Sequence, residues 1–289
     1  MNKPKVAIVH NPDIGRSLAE ALECLGNLSG LFTDKHVAIK PDDTLYRAND
    51  TSSCTQADTM RALIKLVKRY NPYRVTVAGG SNDGETDYIF ELLGINNVIS
   101  EEETEFFDLN HGPFKCISLN WGPVKEVVVN PRILSFDTII SLAQFKEHPK
   151  AQISLTMENT AMSIPANDYY GHPEVKHERG HKSLFSDLHG FIAGMCQRFP
   201  IQLSIINGHP STVKGIRNII FDSQLVVAGR DFVAVDSVGA RIMGIERPVV
   251  YIEQAAFLGL GQSNLRNMDI VGISVEKAAE IFVYSKSRI

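Results

Sequence analysis

Thr55–Glu85 reads TQADTMRALIKLVKRYNPYRVTVAGGSNDGE, and its pattern sets the fold class. Thr55 is placed to cap a helix. Met60, Leu63, Ile64 and Val67 then recur at helical spacing over Ala57–Tyr70. Arg74–Ala78 is a short apolar run rich in β-branched residues, which predicts a strand. Gly79-Gly80-Ser81-Asn82-Asp83-Gly84 follows it, and a helix over Tyr88–Leu93 closes at Gly94. Upstream, Lys5–His10 and His36–Lys40 read as strands around a helical Ile14–Leu25. Helices alternating with buried strands indicate a mostly parallel sheet with helices on both faces, the α/β class.

The same reading continues downstream. Residues 98–134 change character: Phe106–Leu109, Cys116–Leu119 and Val124–Val129 are predicted as short antiparallel strands, a small β insertion in the middle of the chain. Asp137–Ala143 returns as a buried strand, and Gln202–Asn207 and Gln224–Gly229 follow it. Helices are expected over His181–Arg198, over an apolar run capped by Asp231, and at Val249–Leu258 and Val275–Tyr284. No linker divides the 289 residues, so they are read as one α/β domain with a His-rich loop at about 160–180.

Composition narrows the function. Apolar content of 44% and charged content of 21% are those of a globular protein. The net charge of −4 comes with no Lys/Arg stripe, which argues against nucleic acid as a partner. No stretch approaches the apolar length of a membrane span, and the N-terminus reads as a strand rather than a secretory signal. Cys24, Cys54, Cys116 and Cys196 form no CxxC pair, which fits a cytoplasmic location and no iron–sulfur cluster. A small molecule is the partner this pattern implies, and a homo-oligomer is compatible with it.

Candidate chemistry concentrates in Ile139–Asn159, IISLAQFKEHPKAQISLTMEN. Lys146, Glu147 and His148 stand where an apolar strand should stop, and Ile153–Met157 leads into Glu158 and Asn159. Charge between buried segments is costly unless it is paired or used. Lys146, with a pKa lowered by desolvation, would serve as base or nucleophile, or it would hold an anion as a point charge. His148 would transfer protons or ligate. Lys40 ends another strand, and Gly79, Gly80 and Ser81 are suited either to cradling an anion or to tight packing. Asn159 and Asn207 complete the candidate ligand-binding set. In open α/β sheets the carboxyl edge of the strands binds ligands, and Lys40, Gly79–Ser81, Lys146/His148, Asn207 and Asp231 all follow predicted strands. His172, His177 and His181 suit a divalent metal ion, with the alternative of a polar surface loop that happens to contain histidine. Asp236, inside FVAVDSVGA, needs a partner: Arg230, Arg241 or a backbone amide.

HVAIKPD, TQADTMRALIKLVK, FKEH, EN, LVVAGRDFVAVDSVGARIMGI and AAFLGLG occur in the order that resembles domain-of-unknown-function family 362, across about residues 5–261. Members of that family are often labelled iron–sulfur centre proteins, and many carry a ferredoxin-like cysteine cluster that this chain lacks. The family pattern reads Lys-Pro-Asn where this chain has Lys40-Pro41-Asp42, and Lys-Thr-His where it has Lys146-Glu147-His148. It has a lysine before the asparagine where this chain has Glu158, and a GxGP segment where Asn207-Gly208-His209-Pro210-Ser211 stands. The resemblance implies that a strongly anionic ligand of the wider family binds differently here. The expectation is an enzyme acting on a small anionic substrate by acid–base or metal-assisted chemistry. The alternatives are a non-catalytic small-ligand or metal-binding protein and an accessory protein of a redox system.

Overall fold

The computed structural model describes residues 3–45, 50–82, 84–171, 184, 186–213 and 219–289. The first half alternates strand and helix: β1 (Lys5–His10), α1 (Ile14–Leu25), α2 (Ser29–Phe32), β2 (His36–Pro41), α3 (Ala57–Lys68), β3 (Arg74–Gly79), α4 (Thr86–Leu93), α5 (Ile95–Glu101) and β4 (Glu105–Asp108). A two-stranded antiparallel pair follows, β5 (Lys115–Ser118) with β6 (Glu126–Val129). The second half holds β7 (Thr138–His148), β8 (Gln152–Ser154), α6 (Thr156–Ser163), α7 (Leu188–Arg198), β9 (Leu203–Val213), β10 (Ile219–Phe221) and β11 (Leu225–Gly229). It closes with α8 (Phe232–Ile242), α9 (Val250–Phe257), β12 (Asp269–Gly272) and α10 (Val275–Ser287).

The main sheet runs β12-β1-β11-β9-β7-β2-β3-β4, with β8 pairing β7 and β10 pairing β9 as antiparallel returns. All junctions on that path are parallel except the two made by β11. Alternation along the strands sends residues to two apolar layers. Ala7, Val9, Val37, Ile39, Val75, Val77, Ile140 and Leu142 pack with α1–α5 on one face. Val6, Ile8, Ala38, Ala78, Ile139 and Phe145 pack with α6–α10 on the other. The mostly parallel sheet with helices on both faces and a small antiparallel pair in the middle is therefore the architecture observed.

Four sequence readings need correction. Phe106–Leu109 does not join the antiparallel insertion: β4 lies parallel beside β3 as the edge of the main sheet, its alternation too short to reveal a partner. Lys146–His148 does not follow a finished strand. β7 continues through it, shifting register between Gln144 and Lys146 and turning back through β8. Thr55 does not cap α3. Its hydroxyl donates to Leu142 O (3.1 Å) and accepts from the Asp42 amide (2.8 Å), so it ties β7 to the segment after β2. Asp231 caps α8 as expected, but β11 runs against its neighbours, so Asp231 lies at the opposite edge from Lys40 and Lys146.

The connections fix where a ligand can enter. After β2 the chain crosses through α3 to β3. After β7 it crosses through α6 and α7, on the other face, to β9. The strand order thus diverges between β2 and β7, and the carboxyl ends of these two adjacent strands open a crevice.

Candidate functional site

Lys40 and Ser141 are paired across β2 and β7, so the residues just beyond them converge. Asp42 and Asp43 leave β2, and Lys146, Glu147 and His148 end β7. The β8 return then brings α6 back over the crevice with Glu158 and Asn159 in its first turn. A carboxylate there is favoured by the helix dipole. Leu155, at the cap position of α6, has no side chain to satisfy the first amides. Asp236 from α8 does so instead, accepting from Thr156 N (3.0 Å), Thr156 Oγ1 (2.6 Å) and Met157 N (2.9 Å). Those backbone amides are the partner that this buried aspartate needs, rather than an arginine. Burial raises its pKa to about 7 despite the three donors.

Two lysines and three acids form the buried centre. Lys146 Nζ donates to Asp42 Oδ1 at 2.7 Å, with the two residues 5% and 2% exposed. Lys40 Nζ donates to Asp43 Oδ1 (2.8 Å), to Asn159 Oδ1 (3.3 Å) and to Pro41 O. Glu158 accepts from Ser154 Oγ through Oε2, and its Oε1 stands 3.9 Å from His148 Nε2. His148 Nδ1 accepts from the amides of Lys150 (3.1 Å) and Ala151 (2.9 Å). That pattern assigns the ring proton to Nε2, which faces Glu158.

The electrostatics of Lys146 differ from the sequence expectation. Desolvation pulls its pKa down, but the charges of Asp42 and Glu158 outweigh it and hold Lys146 above the ordinary lysine value. It is a fixed cation and not a neutral base. Asp42 moves up, because complete burial outweighs the attraction of Lys146 and Lys40.

Asp42, Thr44, Asn82, Lys146, His148, Glu158 and Asn159 are among the residues lining a cavity of about 300 Å³, at the low end for a small-molecule site. The structure brings Lys146, His148 and Asn159 to this wall. Lys40 sits immediately behind it, held by Asp43 and Asn159. Gly79 ends β3, and Gly80 and Ser81 open the adjoining turn with their amides directed inward: the Gly80 amide donates to Asp43 Oδ2 (2.8 Å) and the Ser81 amide to Thr86 Oγ1 (3.2 Å). A Cβ on Gly80 would lie 2.3 Å from Ser163 O, so close packing requires glycine there. Asn207 is engaged elsewhere, with Thr59 Oγ1 and the backbone of His209. His172, His177 and His181 lie outside the described residues. Asp42, Asp43, Ser154 and Glu158 were not among the site residues expected from sequence. Asp42 and Glu158 carried a signal nonetheless, as two acidic departures from the family pattern.

Among the described residues no group of three His, Cys, Asp or Glu is arranged to hold a metal ion. At the cavity, Lys146 occupies one oxygen of Asp42 and two backbone amides occupy His148 Nδ1. The four cysteines are scattered, with Cys54 and Cys196 buried and Cys116 exposed, and they form no cluster. No helix among the described residues is long and apolar enough to cross a membrane.

A family model described as Domain of unknown function (DUF362) matches residues 37–241, more than half of the chain and all of the site above. The chain belongs to this family. No curated protein matches it. Among solved structures, the chain is similar to the lactate racemase apoprotein from Thermoanaerobacterium thermosaccharolyticum. The TM-score is 0.50 at 13% identity, covering 89% of this chain and 57% of that one. This chain thus spans just over half the length of that protein, and at such identity the likeness bears on the fold alone.

Proposed function

We propose that this DUF362 protein is an enzyme of the acid–base class, acting on a small molecule with an anionic group in the crevice between β2 and β7. The observation that carries this reading is one wall of the cavity. There the cation Lys146, the carboxylate of Glu158 and the Nε2–H of His148 face the same space. Lys146 has Asp42 as its hydrogen-bond acceptor among the described residues, so the ammonium retains donors for a substrate oxygen. In this reading Lys146 holds that oxygen and stabilises the negative charge that develops when a proton leaves the substrate. Glu158 takes the proton through Oε1 and returns it. His148, its Nδ1 committed to two backbone amides, turns the Nε2–H end of its ring toward Glu158 at 3.9 Å and favours the carboxylate through space. Lys40 acts behind the wall, fixing Asp43 and Asn159.

The test is proton exchange in D₂O, followed by ¹H NMR at the carbon next to the carboxylate of lactate, glycerate, alanine and serine. At least one of these should exchange with the wild-type protein. Glu158→Gln should slow that exchange by about 10²–10⁴-fold while binding persists, the range for one general base. Lys146→Ala should lose both. Exchange that survives Glu158→Gln unchanged would overturn the assignment of the base.

A non-catalytic binding protein is the second reading, and the neutralisation of Lys146 by Asp42 favours it. It requires saturable, Lys146-dependent binding of one of these acids with no exchange.

A further inference from the structure

Among the described residues, Asp42 has one oxygen without a partner. Its amide goes to Thr55, and Oδ1 takes Lys146, but Oδ2 is buried with no hydrogen-bond donor among the described residues. The residue is 2% exposed and lines the cavity. A buried acceptor without a donor calls for a partner, and at a cavity wall a ligand can supply it. The charges nearby sharpen what that must be. Lys40 is committed to Asp43, which leaves Lys146 facing the two acids Asp42 and Glu158 at the cavity. A ligand carrying only negative charge would satisfy Lys146 and meet two carboxylates. A ligand carrying only positive charge would satisfy the carboxylates and meet Lys146. The wall is complementary to both signs held close together.

We infer that the ligand is a small zwitterion with a carboxylate beside a primary ammonium, the carboxylate on Lys146 and the ammonium on Asp42 Oδ2, attracted also by the charge of Glu158 across the cavity. This rests on the acid–base reading of the same cavity and names the substrate class within it. It also gives a role to Asp42, where the resemblance to the family leads one to expect asparagine. An asparagine would leave Lys146 as an unpaired cation, suited to a plain anion, whereas aspartate adds the acceptor that an ammonium needs.

Three probes of nearly equal size separate the alternatives by titration calorimetry on the intact protein. Serine carries both charges, glycerate replaces the ammonium by a hydroxyl, and 2-amino-1,3-propanediol replaces the carboxylate. Serine should bind at least about tenfold more tightly than either of the others. Asp42→Asn should reverse the order of serine and glycerate. Glu158→Gln keeps the Asp42–Lys146 pair and so guards against a folding defect in the first variant; it should narrow the gap. Glycerate binding wild type more tightly than serine would overturn the inference, and Lys146-dependence of that binding would leave the acid–base reading standing. A serine-to-glycerate ratio unchanged in both variants would also overturn it. Failure of all three probes to bind, with no proton exchange, would overturn both.

Discussion

Removing Lys146 alone leaves the buried carboxylate of Asp42 without the cation it is hydrogen-bonded to. Both side chains are almost wholly buried, so the desolvation cost of each charge is offset first by the other, with Glu158 adding to the attraction on Lys146 and Lys40 to that on Asp42. Lys146→Met is expected to cost about 3–5 kcal/mol of stability, the range for breaking a buried pair from one side. Asp42→Asn, which leaves the lysine charged, should cost a similar amount. The double variant should lose much less than the two single losses added, because no unpaired charge remains. Urea denaturation of the four proteins closes this cycle, and simple additivity would show that the pair is not coupled. The pairing itself was not legible in the sequence. Lys146 drew attention as a charge inside an apolar run, and Asp42 as a departure from Lys-Pro-Asn. The two are 104 positions apart, and only the adjacency of β2 and β7 joins them. The direction of the Lys146 shift escapes the sequence for the same reason: desolvation can be inferred from an apolar neighbourhood, but the opposing carboxylates after β2 and on α6 cannot.

At the scale of elements, α6 owes its place to α8. Its own cap residue is Leu155, and Asp236 supplies the missing acceptors from another helix. Asp236→Ala should therefore cost about 2–4 kcal/mol, combining a lost cap with buried amides left unsatisfied. It should also weaken the site, since Glu158 is the third residue of α6. The measurement is a denaturation midpoint beside the proton-exchange rate; a stability loss with an unchanged rate would show that the cap does not position Glu158. Gly80→Ala tests the neighbouring turn. The new methyl would meet the carbonyl of Ser163 on α6, so overpacking of about 1–3 kcal/mol is expected in melting experiments. Much of this level was readable in advance. The periodicity of Ala57–Lys68, the glycine after α4 and the Asp231 cap of α8 each act through nearby residues. What escaped was set by distant partners. β4 lacks enough residues to declare its register, β12 is a four-residue edge strand, and Lys146–His148 continues β7 because β8 folds back to pair with it.

For the whole molecule, strand order is the property that local sequence pattern leaves open. The β-α alternation announced a parallel sheet, but not that β7 would insert beside β2, nor that β11 would run against the rest. The divergence at β2 and β7 follows from that order, and so does the burial of charge that shapes the molecule's response to pH. Asp236, Asp42, Asp108 and Asp231 all hold their protons more tightly folded than their ordinary values allow, burial being the leading cause in each. For such groups the folded state binds more protons than the unfolded chain. Their contribution is therefore fully present below the unfolded carboxyl range and is lost as pH rises through the folded value. Lowered values at His36, His189 and His209 act in the opposite sense, removing stability as pH falls below the ordinary histidine range. Lys146, raised, adds a constant until alkaline pH. Asp236 is the group to isolate, because it is fully buried and its value of about 7 spans the accessible range. The shift from 3.8 corresponds to roughly 4 kcal/mol at 1.36 kcal/mol per unit. Asp236→Asn removes that titration while keeping the shape of the side chain. The stability of wild type relative to this variant should therefore fall between pH 4.5 and pH 8 by an amount approaching that figure. Urea midpoints at pH 4.5, 6 and 8 measure it directly, and parallel profiles for the two proteins would show that Asp236 does not hold its proton in the fold.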